Sequence, residues 1–165
     1  MLEVAGQIAA IVTAVSVLVA IWQLREAKTQ RVRQFETTYI ERYWSLMDRL
    51  SVESYVAIVN GARDVAPSRE DLQPAYAYLL LSEDEAELRK AGWISDATWI
   101  LWREYIHRQL QQPPFSSAWE SAKPTRPGEV YAFEHVRRLE LAHSAGQRYD
   151  PCELGRIRRY LRGLR

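Results

Sequence analysis

Three histidines, one cysteine and two glutamates four residues apart are the side chains of this sequence with the means to do chemistry. His135 and His143 fall two turns apart on one helical stretch, too far for both rings to reach one metal ion. His107 stands on the flank of a face built from Trp99, Trp102, Ile106 and Leu110. Each histidine reads as an ordinary surface or half-buried residue and not as a general base. Glu83 and Glu87 share a helix face, where two carboxylates can hold a cation. They also occupy the first turns of an expected helix, where acids complement the macrodipole, and that plainer reading is preferred. Cys152 follows an expected helix start, a place that lowers a thiol pKa. No base partner is identifiable for it, so it reads as structural.

Familiar motifs are missing. The glycines are Gly6, Gly61, Gly92, Gly128, Gly146, Gly155 and Gly163, too scattered for a loop whose amides converge on phosphate. There is no HExxH, CxxC or GxSxG pattern. One cysteine and three histidines make a poor ligand set for structural zinc. The sequence therefore assigns no catalytic residue, no cofactor and no metal site. A formal net charge of +1 carries no global nucleic-acid signature, and no nucleic acid is expected as partner. With a single cysteine no intrachain disulfide can form, which fits a reducing compartment.

The elements that must position these residues begin with an uncharged run from Val4 to Trp22. As a helix it spans roughly 28 Å, close to the ~30 Å hydrocarbon core of a bilayer. Residues 1–24 read as a transmembrane anchor. Arg25, Lys28, Arg31 and Arg33 follow it, whereas only Glu3 precedes it. Basic flanks face the cytoplasm, so the N-terminus is expected outside and residues 25–165 inside. Trp22 belongs at the inner interface, with the four basic residues toward lipid headgroups. Gly6, Ala10 and Ala14 form a small-residue ladder of the kind that lets membrane helices approach one another.

Past the anchor the apolar spacing stays helical. Val32, Phe35, Tyr39, Tyr43, Leu46 and Leu50 recur at three and four, and Ile40, Trp44 and Met47 widen that face. The pattern predicts one unbroken helix from Glu3 to Asn60, of which residues 25–60 are the amphipathic part, stopped by Gly61. Asp71 is expected to cap the next helix, with Pro74 in its first turn. Ser82 is expected to cap a separate short helix ending at Gly92. Ser95 or Asp96 should start another, halted by Pro113 and Pro114. A turn around Trp119 and a linker with Pro124 and Pro127 follow. A helix is then expected over about 128–144, and Asp150-Pro151 should open the last. The six tryptophans and nine tyrosines read as filling for a small helical core.

Residues 150–165 read as a basic amphipathic tail helix. Arg156, Arg158, Arg159, Arg162 and Arg165 occur with no acid after Glu153, while Leu154, Ile157, Leu161 and Leu164 fall on one face. Either the apolar face docks on the core, or the arginines meet anionic lipid or an acidic partner.

Glu87-Leu88, Gly92, Ile94, Trp99, Trp102, Pro114-Phe115 and Trp119, after one N-terminal span and a long helix, resemble uncharacterised bacterial single-pass membrane proteins. These form a domain-of-unknown-function family, and the likeness covers most of residues 1–120. The resemblance implies a bacterial inner-membrane setting and an α-helical cytoplasmic domain, and it supplies no activity. The expected architecture is all-α: an N-terminal transmembrane helix continuing into a long helix, with a small cytoplasmic helical domain packed on it. The expected function is a non-enzymatic accessory or scaffold subunit, in contact with membrane lipid and with other membrane subunits or itself. A self-assembling effector or sensor in stress or antiviral defence is the alternative, and an enzyme with an unfamiliar site the third.

Overall fold

The structure, a computed structural model, describes residues 2–62, 66–123 and 132–164, with backbone alone for 2–6 and 8–11. Every regular element among them is an α-helix: α1 (Leu2–Met47), α2 (Val52–Asn60), α3 (Arg69–Ala91), α4 (Asp96–Gln109), α5 (Phe115–Ala122), α6 (Glu134–Ser144) and α7 (Arg156–Leu161). Helix α3 is central. It packs against α1, α5 and α6, and α6 also meets α4. Met47, Leu79, Trp99, Phe115, Trp119 and Val136 close the core between them. Each such side chain contributes about 1.5–3 kcal/mol by leaving water.

The long helix ends earlier than its spacing predicts. The chain turns at Asp48–Ser51 and restarts as α2. The cause is Asp71, in the first turn of α3. Its carboxylate accepts from the Ser51 N–H at 2.7 Å, the Ser51 hydroxyl at 2.8 Å and the Ser54 hydroxyl at 2.7 Å. An unbroken helix would commit the Ser51 N–H to its own ladder and strip a buried carboxylate of donors. Ser51 instead caps α2, and Gly61 closes it at φ 67° as expected.

Asp71 is not itself a cap. Ser68 holds that position and exchanges hydrogen bonds with Asp71 in a capping box. Pro74 consequently lies in the second turn, not the first. No new helix starts at Ser82, which is buried in the middle of α3. Ser95 caps α4 as its type suggests, and α5 is the expected turn around Trp119. Helix α6 begins, among the described residues, at Glu134, and the linker prolines lie outside the described residues.

The tail differs most. Asp150 and Pro151 start no helix. The Asp150 carboxylate is taken by Arg89 and by the Cys152 N–H, Pro151 and Cys152 are buried in extended chain, and α7 is only six residues long. The four apolar tail residues do not share one environment. Leu164 is fully buried and Leu154 half-buried, whereas Ile157 and Leu161 face solvent.

Toward its start, α1 leaves the helical body. Every residue from Val12 to Lys28 is exposed. Among the described residues no helix is long and apolar enough to cross a membrane. The side chains described within the uncharged run, Gln7 and Val12 onward, include only its second half without interruption.

Candidate functional site

At the foot of the uncharged run, the sequence's two basic groups meet. The Arg25 guanidinium lies 4.6 Å from the centre of the Tyr160 ring of α7. Lys28 and Arg31 share a surface cleft of about 290 Å³ with Gly92, Trp93 and Arg162. Gly163 sits against Thr29 so closely that a Cβ there would stand 3.0 Å from the threonine Oγ1, and its φ is 70°. The turn that presses the tail onto α1 therefore requires glycine. Arg33, Arg156 and Arg158 are exposed, and so are Trp22 and Ala14. The side chains of Gly6 and Ala10 lie outside the described residues, as does Arg165. What results is a basic collar around α1, with Ile157, Tyr160 and Leu161 exposed beside it.

Not all of the tail's arginines are free for a partner. Arg159 bridges Asp96 at 3.2 Å and Asp150 at 3.1 Å and donates to the carbonyls of Cys152 and Leu154. Beneath it, Arg89 is buried and forked onto both Asp150 oxygens at 2.9 and 2.8 Å, onto Asp96 at 2.6 Å and onto the Ile94 carbonyl at 2.9 Å. Burial pushes the Asp150 carboxyl up, but the Arg89 hydrogen bonds prevail and hold it below the usual carboxylate range. Buried bidentate arginine needs such a full set of acceptors. The Leu164 carbonyl accepts from the Asp96 N–H, so the tail also satisfies the start of α4. This cluster fastens the tail to the core.

Glu83 and Glu87, the pair four residues apart on α3, are both engaged by groups of α6. Glu83 accepts from the N–H groups of His135 and Val136 at the start of α6. Glu87 accepts from His135 Nε2 at 2.7 Å, and the Tyr149 hydroxyl closes on Nδ1. The His135 hydrogen bond draws the Glu87 carboxyl down, while burial pushes the Tyr149 hydroxyl up to about 12. This Tyr–His–Glu chain orients α6, and a phenol so reluctant to ionise is a poor nucleophile. His107 and His143, far apart in sequence, stack with ring centres 3.3 Å apart over a cleft of about 240 Å³. Burial and then His143 lower the His107 pKa. Among the described residues no group of three or more His, Cys, Asp or Glu side chains could hold a metal ion. Cys152 is buried.

A third cleft, of about 310 Å³, opens between α1, α3 and α4. Aromatic rings line it: Tyr39, Tyr43 and Trp44 from α1, Tyr78 from α3, and Trp102 and Tyr105 from α4. Tyr39 and Trp102 lie 6.1 Å apart, and Tyr43 meets Tyr78 edge-on at 6.0 Å. Among the described residues, the one carboxyl in the lining is that of Glu85. It is 6% exposed and makes no hydrogen bond or ion pair among the described residues. Burial, aided by Asp84, pushes its carboxyl up to about 8. Nothing in the residue spacing marks this site. Its aromatics sit at ordinary core spacing, and Glu85 is one of four acids in a run of five residues. Only the inward turn of Glu85, while Glu83 and Glu87 turn to α6, tells them apart.

Comparison of the chain with protein-family models, with curated proteins and with solved structures finds no match. The likeness to single-pass membrane proteins gains no support from these comparisons.

Proposed function

We propose that this chain is a single-span, membrane-tethered accessory or scaffold subunit without enzymatic activity, held in the bacterial inner membrane with residues 25–165 on the cytoplasmic side. Lipid and other membrane subunits, or a second copy, are its partners. The observation that supports the reading is a rod of apolar side chains uncovered on all sides. Val12, Val15, Val17, Leu18, Val19, Ile21, Trp22 and Leu24 are all exposed, and none packs on the domain. Thr13, Ser16 and Gln23 share one side of the rod, but no charge interrupts it from Val12 to Leu24, and so wide an apolar surface needs an apolar solvent or partner to cover it. The uncharged sequence continues back to Val4, giving bilayer length. The basic collar agrees with this geometry. Lys28, Arg31, Arg162 and Arg25 lie just past Trp22, where anionic headgroups begin. Exposed Ile157 and Leu161, beside Arg156 and Arg158, suit the same interfacial depth.

The test is alkaline carbonate washing of membranes that carry the natively expressed protein. Full-length protein is expected to stay in the pellet, and mild-detergent extracts are expected to contain it with stoichiometric membrane partners or copies of itself. Recovery of the intact chain in the supernatant overturns the anchor.

A further inference from the structure

We propose that the aromatic cleft over Glu85 binds a small, free organic cation of the methylated ammonium type. Ring faces attract cations through their quadrupole, and Tyr39, Tyr43, Tyr78, Trp102 and Tyr105 line one space; two of these rings already hold a guanidinium, Arg42 over Tyr39 at 5.0 Å and Arg108 over Tyr105 at 5.4 Å. Glu85 supplies the formal negative charge, buried and without a partner of its own. The lining also selects among cations. Ca2+ or Mg2+ wants six or more oxygen ligands and Zn2+ about four from His, Cys or carboxylates, and here there is one carboxylate among rings. A primary ammonium or a guanidinium needs its three or five N–H groups each directed onto an oxygen, and the charged acceptor in the lining is a single carboxylate, the rest of the wall being mostly ring and apolar surface. A methylated ammonium has an apolar surface and few or no N–H groups, so rings and one carboxylate satisfy it. The cleft's volume lies at the small end of ligand pockets, which run from roughly 300 to 1,000 Å³.

The same group caps some lipids. Helix α1 rises about 26 Å between Trp22 and Tyr39, at 1.5 Å per residue. On the anchor reading a headgroup does not reach the cleft, and a free solute does. Only this choice of source rests on that reading.

Binding has a proton signature. The empty carboxyl, held up to about 8, is protonated at neutral pH, and a bound cation favours the carboxylate. The O–H bond breaks and the proton passes to buffer, so affinity rises as pH climbs from 6 to 8 and then levels. The other titratable or charged groups around Glu85 are Asp84 and Tyr78 on α3, Tyr39, Tyr43 and Arg42 on α1, and Tyr105 on α4. Burial raises the hydroxyls of Tyr39, Tyr43 and Tyr78 further, so they stay neutral across that range.

The experiment titrates choline into the full chain in maltoside micelles, followed by calorimetry in two buffers of different ionisation enthalpy and by tryptophan fluorescence. Saturable binding with proton release is expected. The neutral isostere 3,3-dimethylbutanol should bind at least about tenfold more weakly. Glu85→Gln should weaken choline by at least about tenfold and abolish proton release. It should still fold, since it removes a buried ionisable group at constant shape. Trp102→Leu provides a second variant that leaves the carboxylate in place, and it too should weaken choline. Failure of choline to saturate, equal binding of the neutral isostere, or unchanged affinity in Glu85→Gln would overturn the cation site. Glu85-dependent capture of phosphatidylcholine vesicles would overturn the free-solute assignment. A soluble full-length chain that binds choline would sink the anchor and leave the cation site standing.

Discussion

Asp71 shows how one side chain can redirect a helix. It gathers the Ser51 N–H and the hydroxyls of Ser51, Ser54 and Ser68. Burial alone would raise its pKa, but these donors outweigh burial and bring it down to about 2. The sign follows from linkage. A carboxylate lowered on folding stabilises the fold above its ordinary pKa of about 3.9, and that stability is lost as pH falls toward 2. The contribution is about 2 kcal/mol. Asp71→Ala should cost about 3 kcal/mol at pH 7, because three hydroxyls and two N–H groups, those of Ser51 and Ser68, lose their acceptor. Urea melts between pH 2 and 7 should show the wild type losing its advantage over Asp71→Ala below about pH 4. A constant gap down to pH 2 would mean that Asp71 is not charged in the fold. Arg89 belongs to the same class. Its type marks it as a surface residue, and only the convergence of Asp96, Asp150 and the Ile94 carbonyl makes it a core residue.

Among the elements, α7 and its flanks depart most from a simple amphipathic reading. The short helix is docked through Arg159 within it and through Cys152 and Leu164 on either side, while Ile157 and Leu161 remain uncovered. Gly92 shows the closeness of the fit. It ends α3 at φ 78°, and a Cβ there would stand 2.9 Å from Leu154 Cδ1 and 3.0 Å from Arg162 Nη1. Leu164→Asp should therefore destabilise the protein by about 3 kcal/mol, since it buries a charge without a partner. Ile157→Asp and Leu161→Asp should stay within about 0.5 kcal/mol of wild type, as exposed substitutions do. The same two changes should weaken binding to anionic vesicles at low salt. Denaturant melts beside vesicle sedimentation measure both effects. A protein unfolded by Leu161→Asp would place that side chain in the core and remove it from the interface.

For the whole molecule, the proposed anchor carries with it a side of the membrane for the helical body, and that side can be read. Val52, the most exposed apolar residue of α2, offers a reporter. A Val52→Cys variant in intact spheroplasts should resist an impermeant maleimide and react fully after lysis. Labelling before lysis would invert the orientation drawn from the basic flank. The native Cys152 is buried and should give little background. The sequence by itself determined the helical class, the apolar run with its basic flank, and the stops at Gly61 and Gly92, because these depend on local spacing and on backbone freedom. It missed the break at Ser51, the continuity of α3 through Ser82 and the late start of α7. Each depends on a distant partner: Asp71 reaching Ser51, Ser82 buried by packing, and Arg89 holding Asp150 from 61 residues away. The candidate cation cleft was illegible for the same reason. A ring in a core and a ring in a ligand site repeat at the same helical period. Whether Glu85 faces water or a space between three helices is decided only when α1, α3 and α4 pack.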